Sequence, residues 1–229
     1  MSPLEELEDI VVKGIVCDIY RMERAYHLIF TIGKNSNQLN DKRFGNYGEL
    51  FGTFQSALEV DAALAVSRIF DRPYYQYEVR CLRQALDIIT ENPNDFSLLK
   101  EPLILKQNLV TMPETEEMIL LIKEQPEAFA AEFVRYFNQR INSPENKEKI
   151  RALKDLRDKR LAHNENASIV GPSWEGVSDL ITLAQQFVGI IGWAYFSNDF
   201  MYKGQYTLSD DAKRPMIALQ HLAKKITLG

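Results

Sequence analysis

Residues 2–30, SPLEELEDIVVKGIVCDIYRMERAYHLIF, decide the fold class of this chain. Apolar side chains recur along this stretch at the three- and four-residue spacing of a helix that buries one face. Ser2 suits the N-cap of such a helix, Pro3 its first position and Glu5 the returning contact of a capping box. The stretch therefore predicts a long amphipathic helix that begins near Pro3.

The same helical spacing continues along the rest of the sequence, and no alternating pattern of useful length predicts a sheet. A polar loop is expected over residues 33–41, and a connector with one short helix over residues 92–113. Further helices are expected over residues 46–70, 74–90, 114–123, 126–142, 143–162, 173–196 and 211–226.

The composition is typical of one folded globular domain. Of 229 residues, 45% are hydrophobic and 26% are charged, which suits a sizeable buried core. We therefore expect an all-α fold, an up-and-down helical bundle with additional helices. It would form a single domain over residues 1–229, with a variable helical insertion at about 92–125. The pair Gly189 and Gly192 predicts a close helix approach, either inside the bundle or at a dimer seam.

Several classes of protein do not fit this sequence. The first residues are acidic, unlike a signal peptide, and the longest apolar run, residues 187–196, is too short to span a bilayer. We expect a cytoplasmic protein that has no membrane contact. No carboxylates and histidines stand at metal-ligand spacing, so neither a metal nor a cofactor is expected. Cys17 and Cys81 predict buried free thiols.

Positive charge is concentrated in one part of an acidic chain. The formal net charge is −5, whereas residues 147–160 hold seven Lys or Arg and three acids. Such a basic patch suits a focused site for a polyanion such as RNA. The alternative is a solvated helix face with ion pairs one turn apart, such as Asp155 with Lys159.

The basic stretch ends in LRDKRLAHN, residues 156–164. Arg157 can hold a phosphate with two hydrogen bonds, and His163 can take and give a proton near neutral pH. These two groups supply what RNA needs for metal-independent cleavage by its own 2′-hydroxyl, a cation for the phosphate and an acid–base group. His163 could instead cap a helix end.

Spacing constrains how the two groups meet. Six residues correspond to about 120° around a regular helix, so Arg157 and His163 do not share a face of an unbroken helix. Three arrangements remain open: the helix loosens before His163, the long arginine side chain wraps round the helix, or two copies of the motif meet across a two-fold axis. Asp158 either holds Arg157 or His163 by a hydrogen bond or is a surface acid.

Residues 157–163 resemble the signature of the HEPN superfamily, in which a polar residue follows an arginine and a histidine stands four to six positions further on. The Leu-Ala pair before His163, together with the helix end SRIFDRP at residues 67–73, is most similar to the AbiU-type branch, associated with abortive infection by phage.

The resemblance implies an all-helical homodimer in which two motifs face each other, and a metal-independent endoribonuclease. Arg157 and His163 would then be catalytic, with Asp158 as the polar residue of the motif. Many such proteins are toxins restrained by an antitoxin or regulatory protein, whereas some are inactive scaffolds. In one branch a nucleotidyltransferase modifies a tyrosine two residues after the histidine, a position that Glu165 occupies here.

The expected function is an HEPN-type endoribonuclease of a phage-defence or toxin–antitoxin system. The alternative is a non-catalytic helical module that binds RNA, a nucleotide or a protein partner. Arg68 and Asp71 are expected to form a structural ion pair or to line the cleft, and we favour the ion pair. The residues expected to bind substrate are Lys154, Lys159, Arg160 and Asn164.

Overall fold

The computed structural model describes residues 1–41, 47–73, 79–158 and 171–228, and it confirms the all-α class. Two short 3₁₀ turns, Pro93–Phe96 and Pro126–Ala128, join helices, and π-helical stretches at Ile10–Ile15, Gly192–Phe196 and residues 156–158 extend them. The α-helices are α1 Pro3–Asp9, α2 Val16–Lys34, α3 Ser36–Leu39, α4 Gly48–Ile69, α5 Leu82–Glu91, α6 Pro102–Leu109, α7 Glu116–Glu124, α8 Phe129–Ile141, α9 Pro144–Asp155, α10 Trp174–Ile191, α11 Ser209–Ala212 and α12 Arg214–Leu228.

Serine caps set the starts of three helices. The Ser2 hydroxyl accepts from the backbone N–H of Glu5 (3.3 Å) while the Glu5 carboxylate accepts from the Ser2 N–H (2.8 Å), which completes the predicted capping box. Ser143 caps α9 and Ser173 caps α10 in the same way, each accepting from the N–H three residues on. These caps satisfy backbone donors that helix starts leave without a partner.

The structure differs from the sequence-based expectations in three places. The predicted loop over residues 33–41 is helical for most of its length, because α2 runs to Lys34 and α3 follows to bury Leu39. Helix α5 begins at Leu82 rather than at residue 74, since Cys81 is its N-cap and residues 79–80 are not helical. A two-stranded antiparallel hairpin, β1 Met201–Tyr202 with β2 Gln205–Tyr206, adds a small sheet that the sequence pattern did not indicate.

The chain divides into two compact units. The larger unit, residues 1–19 and 66–207, has an aromatic core in which the Phe133 ring lies 4.8 Å from Phe137 and 5.3 Å from Phe187. These rings bring α8 against α10. Helix α9 contacts both of them, so its orientation in this unit is set by the core.

Gly189 in α10 and Gly192 at its π-helical end serve close packing inside the larger unit. A Cβ added at Gly189 would lie 2.5 Å from the Met201 side chain, and one at Gly192 would lie 2.6 Å from the Asn198 carbonyl oxygen. Both positions are buried. Of the two alternatives for this glycine pair, the structure supports packing within the fold.

The smaller unit comprises residues 20–65 and 208–229. Its buried cluster contains Ile32, Leu39 and Leu219, covered by the partly buried Leu28, Phe51 and Leu58. The expectation of a single domain with an insertion at about 92–125 stays a prediction.

Residues 174–196 form a stretch long and apolar enough to cross a membrane by length and composition alone. However, 72% of its 18-residue window is buried inside the structure. This stretch is weak support for a membrane span, because the core helix of a soluble protein meets the same criteria. The two cysteines are free, but only Cys81 is buried; Cys17 is exposed, so its predicted burial is wrong.

Candidate functional site

The motif arginine lies just after the end of α9. Residues 156–158 are π-helical and continue the chain from Asp155, and they include Arg157 and Asp158. Of the predicted site residues, the structure describes Lys154, Arg157 and Asp158. The others, His163, Lys159, Arg160 and Asn164, lie outside the described residues, so their predicted roles stay predictions.

Two carboxylates hold the Arg157 guanidinium. Its Nε donates to Asp158 Oδ1 and its Nη1 donates to Asp71 Oδ2, each at 2.7 Å. The Asp158 hydrogen bond, helped by Asp71, raises the pKa of Arg157 against the opposing effect of burial. Asp158 was expected either to hold Arg157 or His163 or to be a surface acid, and in the structure it accepts a hydrogen bond from Arg157. Within the described residues, Nη2 of Arg157 has no protein acceptor and remains available for a ligand.

Asp71 comes from a distant part of the chain. It follows the end of α4, where its Oδ1 accepts from the backbone N–H of Arg72 (3.0 Å), and this contact orients the carboxylate. Arg68 and Asp71, which were expected to pair with each other, form ion pairs with two different residues instead. Arg68 donates to both oxygens of the buried Asp18, with the shortest contact at 2.6 Å, while Asp71 pairs with Arg157.

Arg157 and Asp71 lie on a cavity of about 360 Å³ in the larger unit, which we call the cationic pocket. Six of its described lining residues are Lys or Arg, and one is a carboxylate. That excess of positive charge suits a ligand with several negative charges. The lining residues are Ser67, Phe70, Asp71, Arg72, Arg83, Lys147, Ile150, Arg151, Leu153, Lys154 and Arg157.

Two polar groups on the cationic pocket are buried and have no hydrogen-bond partner among the described residues. They are the hydroxyl of Ser67, a residue that is only 6% exposed, and Nε of Arg83. Buried polar groups in folded proteins nearly always have a partner. Burial, followed by the nearby positive charge of Arg72, lowers the pKa of Arg83. Both groups are therefore suited to meet an anion.

Sequence reasoning named Lys154 and Arg157 as site residues and placed Lys147 and Arg151 in the basic patch, but it did not assign Arg72 and Arg83 to the same site. Two sequence patterns mark part of this lining. The stretch at residues 67–73 contributes four lining residues, and Lys147, Arg151 and Lys154 follow the i, i+4, i+7 spacing of one helix face. Arg83 offered no local signal, because only tertiary packing brings α5 to α9.

The donor set favours anion binding over metal binding. Across the described parts of the chain, no three His, Cys, Asp or Glu side chains come together as a metal-binding group. Guanidinium and ammonium groups bind phosphate and carboxylate oxygens, whereas hard cations require oxygen ligands. The pocket can therefore hold a phosphate group against Arg157 without a metal ligand set of its own.

The family comparison covers both sequence stretches on which the resemblance rests. No curated protein and no solved structure matches this chain significantly. A model of the HEPN-type family described as AbiU2 matches residues 4–214, which include residues 67–73 and the motif at 157–163. Because this match covers most of the sequence, the chain belongs to the AbiU2 family of HEPN proteins.

Proposed function

We propose that this protein is a metal-independent endoribonuclease of the HEPN type, acting in a phage-defence or toxin–antitoxin system. One observation carries the proposal: Arg157, held by Asp71 and Asp158, lines a pocket whose other charged side chains in the described residues are all cationic. Such a pocket attracts the phosphate backbone, and a fixed guanidinium is suited to the charge that develops on phosphorus.

Arg157 would act as the phosphate clamp. Asp71 and Asp158 occupy its Nε and Nη1, which fixes the plane of the guanidinium and directs Nη2 as a donor to a phosphate oxygen. Lys154 on the same helix adds positive charge to the pocket, and Lys159, Arg160 and Asn164 are proposed to contact the RNA further along the motif.

The proposed reaction forms one bond and breaks one. The ribose 2′-oxygen bonds to the adjacent phosphorus, and the bond between that phosphorus and the 5′-oxygen breaks. Neutral His163 takes the 2′-hydroxyl proton, and a protonated imidazole gives a proton to the leaving 5′-oxygen. The products are a 2′,3′-cyclic phosphate and a 5′-hydroxyl, and no oxidant, cofactor or metal is consumed.

A homodimer would supply both imidazoles. Two copies of the motif facing each other across a two-fold axis would place a second histidine near the phosphate that Arg157 holds, whereas Arg157 and His163 of one chain would not share a face of a regular helix. An antitoxin or regulatory protein would then restrain the nuclease by covering the pocket or the dimer cleft. Such control suits an enzyme that acts on the RNA of its own cell.

The test is cleavage of single-stranded RNA in excess EDTA, with analysis of the fragment ends. We expect 2′,3′-cyclic phosphate ends from the wild type, no cleavage from His163→Ala, and nearly unchanged RNA affinity in that variant. His221→Ala is the matched control, because His221 is an exposed histidine that follows Arg214 at a spacing close to that of Arg157 and His163. A strict requirement for a divalent metal, or full activity in His163→Ala, would overturn the proposal.

A second candidate is a non-catalytic module that binds a nucleotide or RNA. It is favoured by the size of the cationic pocket, about 360 Å³, which falls in the range of small-molecule sites. The same assay separates the two functions, since a binding module shows no cleavage for His163→Ala to abolish. Arg157→Gln would weaken ligand binding whether the protein is a nuclease or a binding module.

A further inference from the structure

The cationic pocket is longer than one phosphate clamp requires. Lys147, Arg151, Lys154 and Arg157 all line it from one face of the α9 region. At the helical rise, the span from Lys147 to Arg157 is about 15 Å. Two carboxylates, Asp71 and Asp158, already pair with Arg157.

Among the residues that the structure describes, the five other cations of the pocket have no carboxylate partner. Within the described residues, no carboxylate oxygen lies within ion-pair distance of Arg72, Arg83, Lys147, Arg151 or Lys154, and the only acid of the lining is taken by Arg157. Arg72 and Arg83 also repel each other, which contributes to the lowered pKa of Arg83. A bound anion would relieve this repulsion.

The two unpartnered groups give the pocket hydrogen-bond donors for that anion. Ser67 lies near the end of α4 with its hydroxyl buried, and Arg83 lies in the first turn of α5. Arg83 is held on one side by Nη2, which donates to Asn142 Oδ1 at 3.4 Å, and its Nε remains without a partner among the described residues. An anion that accepts from both groups would satisfy them.

We propose that Ser67 and Arg83 form a second phosphate site in the cationic pocket, separate from the phosphate that Arg157 contacts. The ligand class is a ribonucleotide with two phosphate groups, either successive phosphates of an RNA chain or a chain end with a terminal phosphate. This inference rests on the proposed function, because it assigns the first phosphate to Arg157. With this second site, the protein would hold one nucleotide of the substrate by the phosphates on its two sides.

Calorimetric titration of the full-length protein tests the second site without any cleavage step. The probes are inorganic phosphate, a ribonucleoside 3′-monophosphate and a ribonucleoside 3′,5′-bisphosphate. We expect the bisphosphate to bind at least tenfold more tightly than the monophosphate. A dinucleotide with a 5′-phosphate, compared with the same dinucleotide with a 5′-hydroxyl, then shows whether a chain end or an internal phosphate fills the site.

Substitutions locate the second phosphate. Ser67→Ala and Arg83→Gln should each remove the preference for the bisphosphate, since one hydrogen bond to a charged group corresponds to roughly a tenfold to hundredfold change in affinity. Ser67→Ala should not lower the urea midpoint, because it removes a hydroxyl that has no hydrogen-bond partner among the described residues. The matched control is Lys123→Gln, which removes one exposed charge of the larger unit away from the pocket.

Each result decides the proposal. Equal affinity for the two nucleotides, or Ser67→Ala and Arg83→Gln variants that keep the wild-type preference, would overturn the second site. If Arg83→Gln does not fold, Ser67→Ala alone decides. Tight bisphosphate binding without any RNA cleavage would leave the second site standing and would refute the nuclease, so the two proposals fail separately.

Discussion

Asp71 and Arg157 lie 86 positions apart in the sequence, yet Asp71 Oδ2 accepts a 2.7 Å hydrogen bond from Arg157 Nη1. This contact joins the end of α4 to the end of α9 and brings together the two stretches that carry the family resemblance. It also decides the role of Asp71, which holds the motif arginine rather than pairing with Arg68 nearby in the sequence.

Replacing Asp71 with asparagine should separate turnover from binding. The substitution loosens Arg157, and we expect kcat for RNA cleavage to fall by about ten- to a hundredfold. KM should stay the same or decrease, because the cationic pocket loses its one described carboxylate. Steady-state kinetics measures both quantities, with the exposed Asp95→Asn as the charge-matched control. A rise in KM at constant kcat would contradict this role.

The Asp18–Arg68 pair should stabilise the larger unit. Asp18 is buried, whereas the Arg68 side chain is 40% exposed, so solvent screens part of the interaction. We expect Asp18→Asn to lower the free energy of unfolding by about 2 kcal/mol, measured by urea denaturation. Lys13→Ala, which breaks an exposed pair with Asp9, should leave the midpoint unchanged. Equal effects of the two substitutions would show that the burial of Asp18 is unimportant.

The aromatic core makes a larger contribution. Phe133 is fully buried between Phe137 and Phe187, so Phe133→Ala should cost about 4 kcal/mol of stability through lost contacts and a cavity. Leu103→Ala is the control, because its side chain is 78% exposed and the expected change is within about 0.5 kcal/mol. A small effect at Phe133 would mean that the rings repack.

The two thiols should react at different rates. Cys17 is exposed on α2, whereas burial raises the pKa of the Cys81 thiol and keeps it protonated. At mildly alkaline pH, a thiol-specific disulfide reagent should label one cysteine quickly and the second only after denaturation. Cys17→Ser should abolish the fast phase. Two fast thiols in the native protein would contradict the burial of Cys81.

Local signals made part of the fold predictable. Ser2, Ser143 and Ser173 mark helix starts in the sequence and cap helices in the structure, because capping depends on residues only three positions apart. The start of α5 was wrong because Cys81, a weak capping residue by type, takes the N-cap. Helical spacing upstream of it did not reveal that the chain is not helical at residues 79–80.

The candidate site was only half predictable. The motif itself and the hydrogen bond between Arg157 and Asp158 depend on neighbouring residues, so the sequence indicates them. The contributions of Asp71, Arg83 and Ser67 depend on how α4, α5 and α9 pack in the larger unit. No sequence spacing encodes that packing. The role of His163 stays a prediction from the motif.

The most direct test of the account is a crystal structure of the protein with a 2′-O-methyl oligoribonucleotide, which lacks the free hydroxyl needed for cleavage. We expect a phosphate oxygen within hydrogen-bond distance of Arg157 Nη2, with Asp71 and Asp158 still bound to the same guanidinium, and the strand running through the cationic pocket. An oligonucleotide bound elsewhere, with the cationic pocket empty, would contradict the central claim.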